Sequence, residues 1–230
     1  MQQRLLITAE PMEIKKERRY KGMTVLIYTI QYPRFEGNEF QTTLEKLNQY
    51  YHENAMAYAN YCDQELYKNA VAQYEQAQAQ INRFPMPPYE AMQTFTLQYA
   101  QECALSLYFD RYEYLGGAHG NTVRSADTWS LSFGKRSDLK AFFPFMKQPE
   151  AYILEEINRQ IAENADQYFP SYTKLTDEYF NPDSFYVTAK GIVVFYQLYE
   201  IAPYVMGIPS FTINYEKGYA TPPRCWGLYL

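Results

Sequence analysis

A stripe of apolar residues at helical spacing constrains this chain more than any other feature. Phe40, Leu44, Leu47, Tyr51, Ala55, Tyr58, Cys62, Leu66, Ala70, Tyr74, Ala77 and Ile81 follow one another at steps of three or four. That recurrence keeps side chains on one face of an α-helix. The other side carries Gln, Glu, Asn and Lys, and the Ala-Gln alternation around Ala77–Gln80 continues helix-favouring composition. The spacing predicts one long helix with an interruption near Asn60, ended by Phe84-Pro85-Met86-Pro87-Pro88. Asn38, after the breaker cluster that begins at Pro33, is placed to cap it.

The segments around the stripe alternate as strands do. Met12–Arg19 and Met23–Tyr32 read as a hairpin about Gly22, the second run apolar on both faces. Phe95, Leu97 and Tyr99, then Leu105, Leu107 and Phe109, mark two more strands, with Cys103 near their connection. Val123–Phe133 predicts a further strand. Ser137-Asp138-Leu139 opens a short helical turn, and Gln148–Asp166 is an amphipathic helix. The stretch from Tyr168 to Asp183 reads as irregular. Phe185–Ala189 and Ile192–Tyr196 form a hairpin around Lys190-Gly191, Leu198–Tyr204 a helical turn stopped by Pro203, and Phe211–Tyr215 the last strand. The tail to Leu230, with Pro222, Pro223 and Trp226, reads as a wrapped extension. The fold class is α+β, in two small antiparallel-rich lobes. Residues 1–114 form one, with the long helix, and residues 115–230 the other, with a single main helix.

A chain of 230 residues with 47% hydrophobic content can bury a core without disulfide staples. Cys62, Cys103 and Cys225 are widely spaced, which suggests reduced thiols in a cytosolic protein. The only apolar run near the N-terminus is Leu5-Leu6-Ile7, too short for an export signal, and no stretch is long enough to span a bilayer. The location read from these facts is cytoplasmic, or extracytoplasmic if a leader has been trimmed. A net charge of −5 and a pI near 5.2 disfavour nucleic acid. The one basic cluster, Lys15, Lys16, Arg18, Arg19 and Lys21, encloses Glu17 and reads as a charged strand edge. The 25 tyrosines suit half-wet core edges or a recognition surface.

Catalytic signals are sparse. His52 and His119 are the only histidines. The cysteines and histidines have no zinc spacing, and there is no phosphate-binding loop, calcium loop or nucleophile elbow. The expectation is no catalytic residues, no metal and no cofactor. Glu155-Glu156 and Asp177-Glu178 read as solvated charge. Two motifs remain. The loop Gly116, Gly117, Ala118, His119, Gly120, Asn121 is either a glycine-shaped connection or an anion nest with His119 as general base. In Tyr199, Glu200, Ile201, Ala202, Pro203, Tyr204, a carboxylate sits among apolar residues and reads as structural.

Together with Phe185–Phe195, these two motifs resemble the extracellular domain of RsiV-type anti-sigma factors. The N-terminal half resembles the non-catalytic domain that precedes that module and also precedes the catalytic domain of PdaC-type peptidoglycan deacetylases. The resemblance implies an α+β binding module, since the RsiV-type domain binds lysozyme directly. It transfers no sigma-binding segment, no membrane span and no deacetylase activity, because the corresponding segments are absent from this sequence. The function expected is therefore a non-enzymatic recognition module for a protein, lysozyme among them, or for a cell-wall glycan. The alternatives are a hydrolase using His119 with Glu200 or Asp110, and a cytosolic interaction scaffold.

Overall fold

The structure, a computed structural model, describes residues 6–79 and 87–225. The two hairpin strands β1 (Ile7–Tyr20) and β2 (Met23–Gly37) lead into helix α1 (Gln41–Tyr61), a π-helical turn (Cys62–Leu66) and helix α2 (Tyr67–Ala79). Strands β3 (Tyr89–Gln101), β4 (Ala104–Tyr114), β5 (Asn121–Ser130) and β6 (Lys135–Arg136) follow. All six strands form one sheet in sequence order. Every pairing in it is antiparallel except β2 with β3, which run parallel because the helical segment carries the chain back across the sheet. The second half adds helices α3 (Pro149–Ala162) and α4 (Tyr172–Glu178) and an antiparallel sheet of β7 (Phe185–Val187), β8 (Gly191–Phe195) and β9 (Ser210–Asn214).

The predicted helical stripe is the buried face. Leu44, Leu47 and Tyr51 pack against Leu105, Leu107 and Phe109, while Ala55, Tyr58, Cys62, Leu66 and Ala70 pack against Leu26, Tyr28 and Ile30. Each fully buried Leu or Ile contributes about 1.5–3 kcal/mol. The π-helical turn follows from the spacing. From Tyr58 the stripe advances by four residues at each step, and in a pure α-helix each such step drifts by about 40°. A π turn holds more residues per turn and returns Leu66 and Ala70 to the sheet. The same turn carries Asp63, which lies 2.7 Å from Lys16 Nζ and 2.5 Å from Arg18. Arg19 pairs with Glu17 and Lys21 with Glu75, so most of the basic cluster is consumed by ion pairs on the β1 hairpin.

Alternation along β4 builds the next layer. Ser106 and Tyr108 point away from α1 toward the small sheet, where Tyr186, Val193 and Phe195 meet Tyr108 and Ala126. Val187 N–H donates to Ser106 Oγ at 2.8 Å, and Ser106 in turn bonds Thr128 at 2.7 Å. The opposite face of the small sheet, with Val187, Ile192, Val194, Phe211 and Ile213, packs on Ile153, Ile157 and Ile161 of α3. The order of layers is helix, six-stranded sheet, three-stranded sheet, helix. A division after Tyr114 would assign β5 and β6 to the second lobe, although both hydrogen-bond into the first sheet.

Several local expectations are corrected. Strand β2 runs through Pro33, which sits opposite Pro11, so the ladder's missing donors share one rung. Asn38 does not cap α1. Its Oδ1 accepts from Leu6 N–H, and Phe40, with φ 59°, precedes the helix without a side-chain cap. The stretch from Tyr168 to Asp183 contains α4. Leu198–Tyr204 is not a helical turn: Tyr199 takes φ 66°, and a short 3-10 turn starts only after Pro203. Cys103 and Cys225 form a disulfide, whereas Cys62 is free and buried. Linear spacing hid the pair because the β3–β4 turn and the returning C-terminal segment meet only in space. The expected positions Gln80, Ile81, Phe84–Met86 and Trp226–Leu230 lie outside the described residues.

Candidate functional site: a groove beside the glycine loop

The glycine loop joins β4 to β5 at the end of the sheet that α1 crosses. Gly116 and Gly117 have φ 88° and 98°, a region that side chains with a Cβ rarely enter. At Gly120 a Cβ would meet the Tyr112 ring at 2.4 Å, so glycine lets that ring lie under the loop. Tyr114 Oη donates to Gly117 O at 3.0 Å. The glycines are therefore demanded by the path of the chain.

The loop and the Tyr199–Tyr204 motif, distant in sequence, meet at His119. The His119 ring stacks on Tyr204 with centroids 4.3 Å apart. Its Nδ1 lies 2.9 Å from Gly120 O, which makes Nδ1 the protonated nitrogen. Nε2 then accepts from Tyr199 Oη at 3.3 Å. The neighbouring Gln197 bonds the edge of β5 as a strand residue would: Arg124 N–H donates to its Oε1 at 2.9 Å, and its Nε2 donates to Arg124 O at 2.8 Å. Glu200 anchors this segment by accepting Gln197 N–H at 2.6 Å. Burial raises the Glu200 carboxyl above its ordinary range, against the opposing pull of that N–H.

The acids considered as partners for His119, Glu200 and Asp110, are engaged elsewhere. Glu200 holds the turn, and Asp110 forms a two-point ion pair with Arg124 at 2.8 and 2.7 Å. Among the described residues no carboxylate forms an ion pair with His119. No group of three His, Cys, Asp or Glu side chains among them is placed to hold a metal ion. Nor is any described helix long and apolar enough to cross a membrane.

The loop lines a groove of about 810 Å³ between α1 and the ends of β4 and β5. Gly116, His119, Gly120 and Asn121 form one wall; Asn54, Ala57, Tyr58 and Tyr61 form the helical wall. Arg111, Glu113, Leu115 and Val123 come from the sheet side. Tyr58 and Tyr61 are nearly parallel, 14° apart with centroids at 6.0 Å, and the Arg111 guanidinium lies over Tyr58, 4.3 Å from the ring centroid. Tyr58 Oη donates to Glu113 at 2.8 Å, and burial, helped by that carboxylate, raises the phenol well above its ordinary range. Tyr61, Leu115 and Val123 are exposed, at 39%, 41% and 50%. Most of the other described tyrosines are buried or half-buried.

Sequence reasoning found Gly116, His119, Gly120 and Asn121 of this groove, while Gly117 supports the loop without lining it. It missed Tyr58, Tyr61, Arg111 and Glu113. Tyr58 was legible only as core, and Arg111 and Glu113 stood in an ordinary strand alternation. The helical spacing of Tyr58 and Tyr61, with a strand ending near a glycine loop, was the available signal.

A helix-backed sheet stacked on a smaller helix-backed sheet, with a tyrosine-lined groove at the loop, defines an α+β protein. Residues 21–122 match the family described as Deacetylase PdaC, and residues 140–216 match the family described as Protein of unknown function (DUF3298). Each match spans less than half of the chain. A solved DUF3298 family protein from Bacteroides fragilis NCTC 9343 is 17% identical, with a TM-score of 0.65, over 95% of this chain and 94% of its own. Another from Pseudomonas aeruginosa PAO1 is 16% identical, with a TM-score of 0.59, over 95% of each chain. At these identities the likeness is one of fold. No curated protein matches.

Proposed function

We propose that the chain is a non-enzymatic recognition module that binds a glycan strand, of the kind found in cell walls, in the groove beside the glycine loop. The observation that supports this most is the lining itself. A concavity of about 810 Å³ combines the Tyr58–Tyr61 pair and exposed Leu115 and Val123 with the amides of Asn54 and Asn121. Sugars present apolar C–H faces and rings of hydroxyls, which aromatic faces and amide side chains match. The six-stranded sheet with its helix forms the binding lobe, and the smaller sheet supports it through the Tyr199–Tyr204 segment. The resemblance to modules of cell-wall proteins agrees with this reading. So does the Cys103–Cys225 disulfide, which suits an extracytoplasmic setting.

The test is a calorimetric titration with a soluble peptidoglycan tetrasaccharide and, in parallel, with a C-type lysozyme. Saturable sugar binding is expected, weakened about threefold to tenfold by Tyr61→Ala. Lysozyme binding without sugar binding would overturn the glycan reading in favour of a protein ligand, the partner that the RsiV-type resemblance implies.

A further inference from the structure

A second concavity, of about 390 Å³, adjoins the first. It is lined by Tyr50 and Tyr51 of α1, Arg124 and Asp127 of β5, Arg136 and Ser184, and it shares Asn54 and Arg111 with the groove. The shared residues make the two one trough, apolar at the glycine loop and polar toward β6. Three arginines line the polar end, and two of them are neutralised. Arg124 is paired with Asp110, and Arg136 lies 2.8 Å from Asp127. Asp127 is itself fixed by Tyr51 Oη at 2.9 Å, and that oxygen accepts from Trp129 Nε1 at 2.7 Å.

Arg111, at the junction, differs. Its Nε donates to Gln93 Oε1 at 2.6 Å, and its plane rests on Tyr58. Among the described residues its two terminal nitrogens bond no acceptor and no carboxylate pairs with it. Glu113, two residues along β4, is engaged by Tyr58, and Asp183 lines only the polar end. A guanidinium held at its Nε and on one face, with two parallel donors left over, is preorganised for a two-point bond to a carboxylate.

We propose that Arg111 reads a carboxylate on the ligand, so that the trough selects acid-bearing sugars over neutral ones. This rests on the glycan reading above and specifies it. The experiment compares chitotetraose, which is neutral, with a tetrasaccharide alternating N-acetylglucosamine and N-acetylmuramic acid, and with the methyl ester of the latter. A charge-assisted two-point bond predicts at least about tenfold tighter binding of the free acid. Esterification should abolish the preference on the unaltered protein, and Arg111→Gln should bring the acid and neutral sugars within about twofold of each other. Because the ester arm needs no variant, it decides the matter even if Arg111→Gln fails to fold. Equal affinity for neutral and acid sugars would overturn carboxylate selection while leaving the glycan reading intact. Binding of neither sugar would overturn both. A preference that persists in folded Arg111→Gln would remove Arg111 from the role.

Discussion

At the scale of single residues, charge in this chain is placed by burial more than by sequence neighbourhood. Glu155-Glu156 reads as a solvated pair, yet Glu156 is only 5% exposed. Arg159 binds it at two points, Lys217 lies 2.6 Å away and Gln160 donates to it while also reaching Thr212 O on β9. The bonds from Arg159, opposed by burial and assisted by Lys217, lower the Glu156 carboxyl to about 2. A carboxyl depressed in the folded state stabilises the fold above its unfolded pKa of about 4.5, and that stabilisation fades as pH falls toward 2. The exposed Arg159 and Lys217 heads are screened, which leaves an effect on the order of 2 kcal/mol. Glu156→Gln should therefore lose about that much at pH 7 and lose markedly less, relative to the parent, at pH 3. Urea midpoints at the two pH values measure it, and an equal loss at both would contradict the ionic account.

At the scale of elements, the sequence showed the helix, its buried face and most strands because each obeys one period for many residues. It could not show how strands pair. The β2–β3 parallel ladder needs the whole helical return between them, and local alternation looks the same in parallel and antiparallel pairs. The interruption expected near Asn60 is real but slightly later, at Cys62–Leu66, where the run of four-residue steps requires it. A π turn amounts to one extra residue in an α-helix. Deleting exposed Gln64 should let the turn revert to α-helix with Leu66 and Ala70 still on the sheet, at a cost below about 1 kcal/mol. Deleting exposed Glu53 should instead turn Ala55, Tyr58 and Ala59 off the sheet and cost several times more, on the order of 3–5 kcal/mol. Thermal unfolding followed by far-ultraviolet circular dichroism separates the cases; equal costs would mean that the turn does not absorb the register.

At the scale of the molecule, the two motifs that sequence reading singled out prove to be one contact, His119 between Tyr199 and Tyr204. Their pairing was visible only as resemblance, because nothing local says that residues so far apart stack. The groove partners Tyr58 and Arg111 were hidden for a related reason: each obeys its own element's alternation, and only the closure of helix over sheet brings them together. The disulfide is the same kind of long-range fact. Cys103, in the β3–β4 turn with φ 59°, is joined to Cys225 across a separation of 122 residues. It ties the C-terminal segment, whose Thr221 N–H donates to Phe142 O at 2.9 Å, onto the large sheet. A link closing so long a loop removes much freedom from the unfolded chain, typically worth about 2–4 kcal/mol. Cys62 takes no part, since it is buried and its thiol is pushed up to about 12, chiefly by burial. Thiol titration of oxidised protein should therefore find none reacting readily while folded and one after denaturation, rising to three after reduction. Paired Cys103→Ser and Cys225→Ser substitutions should lower stability by the same 2–4 kcal/mol or so, without altering the groove's ligand affinity. A loss of affinity in that folded variant would show that the C-terminal tether also shapes the binding lobe.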